Sequence, residues 1–380
     1  MANKVEIQDI FREYDTEYLK ELKPPPHIQK AVRAIRRCRT SELGGHIDTC
    51  EDCGYTKISY NSCRNRHCPK CQALSKERWI LARKEELLPV PYFHVVFTLP
   101  SELDGIVMQN QALLYNLLFK ASQETIRELA RDKKYLGAEI GLTSILHTWG
   151  QNLTLHPHIH MIVPGGGLTI DGKWKNSKKK FFIPVKVMGK LFRGKFLFYL
   201  EQIQAKLELC GSIAYLKDTQ QFHTLIASLY QKDWYVYCKR PFKTTNSVLE
   251  YLGRYTHRVA ISNHRIISCK DGQVAFKYKD YKDKSKEKVM VLCINEFMRR
   301  FLLHVLPPQF TKIRHYGILA SAVKKKKLRL CRRLLKIANI VPKEKLSTPE
   351  LIKELTGIDI CVCPVCGSVL SRASPERATA

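Results

Sequence analysis

A short stretch near the middle of the chain, TLHPHIHMIVPGGG (154–167), carries histidines at alternate positions, His156, His158 and His160. Side chains alternate between the two faces of a β-strand, so His158 and His160 point to one face while the apolar residues between and after them point to the other. Two such imidazoles stand about 6 to 7 Å apart along the strand, close enough to share one metal ion. Ordinary polar positions on a half-exposed strand are the alternative. The spacing and the glycine turn that follows favour a metal-binding pair.

The cysteine spacing near the N-terminus indicates a structural zinc site. Cys50 and Cys53 form one Cys-x2-Cys pair, and Cys68 and Cys71 form a second pair after an interval of 14 residues. Two pairs at this spacing predict one tetrahedral Zn²⁺ site. Four thiolates leave no open coordination position, so the site is expected to stabilise a segment that is too short of large apolar residues to build a core.

Further potential ligands are interleaved with these pairs: Cys38, His46, Cys63 and His67. Two interpretations fit them, a second zinc in a cross-braced arrangement or residues that only flank the first site. Arg64 and Arg66 would put positive charge on the surface of this module, which suits DNA binding. Near the C-terminus, a knuckle, a zinc completed by a distant residue and plain surface cysteines all fit Cys361, Cys363 and Cys366.

A pair of tyrosines could act as nucleophiles. Tyr251 and Tyr255 in EYLGRYTHR are four residues apart, so they share one face of a helix. An aromatic stripe that packs on a sheet is the alternative. A tyrosine hydroxyl, with a pKa of about 10, attacks a phosphodiester poorly unless a divalent ion draws charge off the phosphate. The product would be a phosphotyrosyl linkage and a free 3′ hydroxyl, and resealing would need no nucleotide cofactor.

The elements that must position these residues follow from periodicity and from the prolines. Three consecutive prolines, Pro24 to Pro26, interrupt a helical pattern that runs from Ile7 to Arg39. Asp271-Gly272 between two β-rich runs predicts a hairpin. The mixture of strands and helices predicts an α+β fold with an antiparallel or mixed sheet. Strands are expected at 93–100, 142–150 and 158–165, and helices at 73–88, 244–258 and 295–307.

The charge of the whole chain points to a polyanionic partner. The 380 residues include 64 Lys and Arg against 35 Asp and Glu, a net charge of +29. The basic residues are spread over the whole length, which favours nucleic acid over an anionic membrane surface. No apolar run reaches the length of about 18 residues that a membrane span needs, and the first residues lack the apolar core of a signal peptide. We therefore expect a cytoplasmic protein whose paired thiols bind metal.

At the level of whole motifs, the chain resembles a known family. CEDCG with SCRNRHCPKCQ, then HVVFTLP, LHTWGQNLTLHPHIHMIVPGGG, YLGRYTHRVAIS and IRHYGIL occur in the order typical of rolling-circle insertion-sequence transposases of the HUH endonuclease superfamily, the type named after insertion sequence ninety-one. The resemblance covers about residues 20 to 320. It implies an HUH-type antiparallel sheet flanked by helices, preceded by a small zinc-binding module. It also implies nicking and transfer of single-stranded DNA at the element ends and the target DNA.

The resemblance also implies roles for individual residues. It makes His158 and His160 the ligands of a catalytic Mg²⁺ or Mn²⁺, and Tyr251 and Tyr255 the nucleophiles that form 5′-phosphotyrosine intermediates. It leaves the third metal ligand open between His156 and His257. Arg254 and Arg258 are expected to contact phosphate.

The same reasoning divides the chain into segments and leaves rival functions. A replication initiator or relaxase would use the same chemistry, an amidohydrolase would carry its HxH pair on a barrel strand, and a zinc-dependent DNA-binding protein would need neither the histidines nor the tyrosines. The predicted segments are a helical N-terminus at 1–37, a zinc module at 38–75, a catalytic domain at 92–320, and a basic helix with a cysteine knuckle at 321–380.

Overall fold

The computed structural model describes residues 5–178, 183–242, 247–248, 253, 256, 259–281, 283–338 and 346–373. Within these residues the fold is α+β, with antiparallel sheets flanked by helices, as the sequence predicts. The chain forms two compact units. We call Met1–Leu74 with Ile340–Ala380 the terminal unit, and Ser75–Asn339 the sheet unit. This division differs from the predicted one, because the residues after 340 belong with the N-terminal ones and not to a separate segment that begins at 321.

The helices and strands are numbered here in chain order. The described helices are α1 Ile7–Leu22, α2 Pro26–Arg37, α3 Gln72–Lys84, α4 Asp104–Gln109, α5 Gln111–Arg131, α6 Val185–Gln202, α7 Thr219–Tyr230, α8 Ile294–Leu302, α9 Lys324–Leu334 and α10 Thr348–Thr356. The described strands are β1 Gly45–Thr49, β2 Thr56–Tyr60, β3 Tyr92–Thr98, β4 Gly141–Trp149, β5 Leu155–Pro164, β6 Gly166–Leu168, β7 Trp174–Asn176, β8 Val236–Phe242, β9 Ile266–Lys270, β10 Gln273–Asp280, β11 Lys286–Cys293, β12 Ile313–Gly317 and β13 Ser371–Ala373.

The terminal unit contains a small sheet with the strand order β13-β1-β2, antiparallel throughout. The prolines separate α1 from α2 as predicted: Lys23 ends α1 in the left-handed region, and Pro26 is the first residue of α2. In α2 the apolar side chains of Ala31, Val32 and Ile35 are buried on one face.

The sheet unit is built on five strands in the order β12-β4-β5-β3-β8, and every described pairing between them is antiparallel. Side chains are buried along the whole of β3 and most of β4 and β5, which therefore lie inside the unit. An antiparallel sheet of this kind excludes the parallel barrel of the amidohydrolase alternative.

The two faces of this sheet pack differently. On one face, alternate residues of β3 and β5 such as Phe97 and Met161 join a large core with α5, α6 and α7. On the other face, Ile145 and Ile162 join a smaller cluster with Leu328 and Cys331 of α9. The basic C-terminal helix thus buries an apolar face within the sheet unit.

A second sheet of the same unit, with the order β11-β10-β9, contains the predicted hairpin. Asp271 and Gly272 connect β9 to β10, and both have positive φ angles, 50° and 71°, as a tight hairpin turn of this type requires. In the described part of the chain, no helix combines the length and the apolar character needed to cross a membrane.

Candidate functional site

Three histidines converge on the second face of the five-stranded sheet. His158 and His160 come from β5, and His147 comes from the neighbouring β4, where it pairs directly with His158. One ring nitrogen of each lies within 4.8 Å of those of the other two. His147 and His160 are buried and His158 is half-buried. The strand alternation predicted for His158 and His160 is therefore present, and the group suits a transition-metal or other divalent ion with imidazole ligands.

Hydrogen bonds orient the two rings on β5. Nδ1 of His158 lies 2.6 Å from the carbonyl oxygen of His156, and since a carbonyl oxygen only accepts, this nitrogen carries a proton and donates it. Nε2 of His158 and Nε2 of His160 then face each other at 3.1 Å. Both rings thus turn the same nitrogen toward the centre of the cluster.

A fourth histidine supports His160 from the other side. Nδ1 of His160 lies 2.9 Å from Nε2 of His94 on β3, and the two rings stack with centroids 5.1 Å apart. Burial, then the charge of Lys239 on β8, lowers the pKa of His94 to about 3, which keeps its ring neutral. A neutral His94 is able to accept the Nδ1 proton of His160, an outer contact of the kind that fixes the tautomer of a metal ligand.

The candidates for a third ligand separate clearly. His156 is exposed and does not belong to the described histidine group, although it lies on the same strand. The pairing of β4 with β5 is irregular between His147 and Trp149, and Trp149 pairs with Leu155, so the regular alternation is broken next to His156. His257 lies outside the described residues. The structure thus brings His147, which the sequence reasoning did not single out, into one group with His158 and His160.

The turn between β4 and β5 is held by three side chains from later in the chain. Three consecutive backbone carbonyl oxygens of the turn each accept one hydrogen bond from a side chain. Arg265 donates to the carbonyl of Gln151, Arg300 donates to that of Asn152 at 3.1 Å, and His304 donates to that of Leu153 at 3.0 Å. This turn joins the two strands that carry the histidines, so these contacts fix the end of the hairpin next to the site.

The predicted tyrosine helix is described at only four positions. Residues 247, 248, 253 and 256 are helical, and Val248 is buried in the cluster that includes Ile145 and Ile162 on the histidine face of the sheet. A side chain at Gly253 would lie 2.5 Å from Ile80 of α3, so this backbone packs closely on that helix. Tyr251, Tyr255, Arg254 and Arg258 lie outside the described residues.

In the terminal unit, one group of four thiols lies at the start of the β1–β2 hairpin. It consists of Cys38, Cys63, Cys68 and Cys71, whose sulfur atoms all lie within 4.8 Å of one another. Cys71 is 3.4 Å from Cys38 and 3.6 Å from Cys63, and hydrogen bonds from Cys63 and Cys68 hold the pKa of its thiol well below the usual range. Four thiols at these separations suit a tetrahedral Zn²⁺.

A second group of thiols lies at the turn of the same hairpin and includes the C-terminal cysteines. Cys50 is 3.4 Å from Cys366, and Cys53 is 3.6 Å from Cys363. The predicted pairing of Cys50 and Cys53 with Cys68 and Cys71 in one site is thus corrected. Cys50 directly follows β1, whose five residues span about 17 Å, so the two ends of the hairpin are too far apart to share one ion.

The remaining predicted residues of this module do not join either thiol group. His46 lies 3.5 Å from Asp48, and Nε2 of His67 accepts a hydrogen bond from Arg66. The structure therefore does not form the cross-braced site with two histidine ligands. Cys38 and Cys63 instead join Cys68 and Cys71 in a group made of cysteines alone. Arg64 and Arg66 are exposed, and their role in DNA binding stays a prediction.

Comparisons with known proteins agree on one family. Residues 141–327 match the family model described as "Putative transposase", and residues 10–99 match that of a transposase zinc-binding domain. A putative transposase, y4qJ, of Sinorhizobium fredii is 46% identical over 368 residues, which cover 95% of this chain and 92% of that protein. The transposase for insertion sequence element IS801 of Pseudomonas savastanoi pv. phaseolicola is 29% identical over 343 residues, 89% of this chain and 82% of that protein. No solved structure matches.

Proposed function

This chain belongs to the family of IS91-type insertion-sequence transposases with an N-terminal zinc-binding domain, and we propose that it nicks single-stranded DNA and transfers the strand through a phosphotyrosine intermediate. The observation that carries the proposal is the group of His147, His158 and His160 on one face of the central sheet. Three imidazoles form a ligand set that leaves coordination positions for a substrate.

These three histidines would hold a divalent ion, Mg²⁺ or Mn²⁺. When bound, such an ion supplies a Lewis acid that draws negative charge off a non-bridging phosphate oxygen. His158 and His160 present their Nε2 atoms to the same point, and the carbonyl of His156 and the ring of His94 keep the protons on the opposite nitrogens. The role of the protein here is to hold neutral, correctly oriented rings.

Tyr251 and Tyr255 would supply the nucleophile. The hydroxyl oxygen of one tyrosine loses its proton and forms a bond to phosphorus, the bond from phosphorus to the 3′ oxygen breaks, and that oxygen gains one proton and leaves as a 3′ hydroxyl. The phosphodiester is conserved as a 5′-phosphotyrosine, so the reverse attack by a 3′ hydroxyl reseals or transfers the strand without a nucleotide cofactor. Support comes from Val248, which precedes Tyr251 by three positions in the sequence. Val248 packs on the histidine face of the sheet.

The DNA substrate is proposed to be single-stranded and to come from the element ends and the target. The charge of +29 gives the chain the capacity to neutralise several phosphates. Arg254 and Arg258, next to the tyrosines in sequence, would contact the phosphates beside the scissile bond. Lys239 is exposed on β8 next to His94 in the sheet and would add positive charge at the edge of the site.

The proposal is tested with single-stranded oligonucleotides from the two flanks of the encoding element, each labelled at its 3′ end. The phosphotyrosine keeps the strand 3′ of the nick, so the label should move with the protein in a denaturing gel. EDTA or His160→Ala should abolish this adduct while leaving DNA binding nearly unchanged, because the ion acts on the charge that develops in the transition state.

The control for this experiment is His156→Ala, a histidine on the same strand outside the histidine group. It should form the adduct at the wild-type level. A non-catalytic DNA-binding protein would bind the oligonucleotides and form no adduct under any condition, and that result would refute the proposed reaction.

A further inference from the structure

The two cysteine knuckles of the second thiol group have the same local structure although one lies near each end of the chain. Each reads Cys-x2-Cys-Gly. In the first, the amide of Gly54 donates to the carbonyl of Cys50 at 3.0 Å, and in the second the amide of Gly367 donates to the carbonyl of Cys363 at 3.0 Å. Both glycines have positive φ angles, 71° and 83°, a conformation that glycine adopts without strain.

The sulfur atoms of the two knuckles also receive the same backbone hydrogen bonds. Each cysteine accepts from the amide two residues after it, and Cys50 also accepts from the amide of Cys53; such bonds favour a thiolate over a thiol. The pairs are Asp52 with Cys50, Tyr55 with Cys53, Val365 with Cys363 and Ser368 with Cys366.

A strand pairing brings the two knuckles together. β13 pairs with β1 so that Ser371 lies opposite Thr49, the residue before Cys50. The hydroxyl of Ser371 donates to the carbonyl of Thr49 at 3.1 Å, and Arg372 donates to the buried carboxylate of Asp48 at 2.7 Å. These contacts fix the C-terminal knuckle next to the hairpin turn that carries the first one.

The distances between the thiols suit one metal ion. The sulfur atoms of Cys50 and Cys366 are 3.4 Å apart, those of Cys53 and Cys363 are 3.6 Å apart, and all four lie within 4.8 Å. Zn–S bonds of about 2.3 Å in a tetrahedron separate the sulfurs by about 3.8 Å. A disulfide would need about 2.05 Å, so the observed separations fit a metal better than a bond between the cysteines.

We propose that Cys50, Cys53, Cys363 and Cys366 bind a second structural Zn²⁺, which joins residues up to 316 positions apart in the sequence. The matched zinc-binding domain ends at residue 99 and therefore contains only half of this site, whereas all four thiols of the other group lie within it. The ion would connect α10 and β13 to the β1–β2 hairpin. Its binding free energy would stabilise a segment that buries little apolar surface of its own.

The first test uses the wild-type protein and maps which thiols react with iodoacetamide. Cys361 and Cys366 are both exposed, but only Cys366 belongs to the proposed site. We expect Cys366 to react at least about tenfold more slowly than Cys361, and to react equally fast once a strong zinc chelator is added. Equal rates without chelator would overturn the proposal, and so would protection that is removed by a reductant and not by a chelator.

The second test measures zinc bound per chain after dialysis. Cys363→Ser should bind one zinc fewer than the wild type, and Cys68→Ser should lose a different one, so the double variant should lose two. Cys361→Ser is the matched control, because the same change two residues away should leave the zinc content unchanged. A wild-type zinc content in Cys363→Ser would refute the second zinc site, whatever the effect of this variant on DNA binding.

Discussion

At the scale of single residues, the histidine cluster distinguishes two candidate third ligands. His147 belongs to the group, while His156 is exposed and contributes its backbone carbonyl to His158. We expect His147→Ala to raise the Mn²⁺ concentration for half-maximal nicking by about tenfold to a hundredfold or more, the range for loss of a contact that supports the metal. His156→Ala should leave that concentration within about twofold of wild type. The reverse ranking in a metal titration of nicking would assign the third ligand to His156.

His94 gives a second prediction at this scale. Its Nε2 accepts a hydrogen bond from Nδ1 of His160, so His94→Ala should weaken metal binding by about tenfold to a hundredfold. His94→Gln keeps an acceptor oxygen in this position and should recover much of the loss. The measurement is Mn²⁺ affinity by calorimetry on folded protein. Equal affinities for the alanine variant and the wild type would show that His94 only fills space.

How much of the site the sequence reveals depends on how local each contact is. His158 and His160 could be predicted because both lie on one strand and the alternation of side chains is enough. His147 could not, because its place depends on the register of β4 against β5. One signal was available, since LHTW lies within the strand predicted immediately before HPHIH and a hairpin pairs such neighbours.

At the scale of elements, the turn between β4 and β5 depends on a buried histidine. His304 is 3% exposed, and burial lowers its pKa to about 4, while the hydrogen bond to the Leu153 carbonyl acts in the opposite direction. Its pKa in the unfolded chain is about 6.5, so the neutral ring stabilises the fold fully above that pH, and this stabilisation is lost as the pH falls toward about 4.

The prediction is therefore a pH-dependent effect of His304→Gln. The variant should be less stable than wild type by about 1 to 3 kcal/mol at pH 7 because a buried hydrogen bond is disturbed. The difference in thermal midpoint should shrink between about pH 6.5 and pH 4.5. The same change at the exposed His264 serves as the control and should leave the midpoint unchanged. A His304 effect that stays constant over this range would contradict the assigned pKa.

Elements with a local signal were predicted well, and those that depend on distant pairing were not. The break at Pro24 to Pro26, the hairpin at Asp271-Gly272 and the strands around the histidines all follow from residues within a few positions of one another. β13 has three exposed residues and no strand pattern of its own. It becomes a strand only because β1 pairs with it, which also explains why the cysteine pairs were assigned to the wrong partners.

At the scale of the whole molecule, the net charge should dominate the affinity for DNA. With +29 charges and about six phosphate contacts, affinity for single-stranded DNA should fall on the order of a hundredfold or more between 50 and 200 mM salt, because each contact releases counterions. We expect tighter binding to the single strand than to the duplex of the same sequence. Fluorescence anisotropy with both forms measures this. A flat salt response, or a preference for the duplex, would contradict a single-strand mechanism.

The most direct test of the central claim is to identify the residue that becomes linked to DNA. The adduct with a flank oligonucleotide is digested with protease and nuclease, and the phosphorylated peptide is sequenced by mass spectrometry. We predict the phosphate on Tyr251 or Tyr255, and no adduct in the Tyr251→Phe, Tyr255→Phe double variant. Tyr237 is the alternative nucleophile, because it is a partly exposed tyrosine that contacts His94 on the same face of the sheet. Phosphate on Tyr237, or a wild-type amount of adduct in the double variant, would contradict the account.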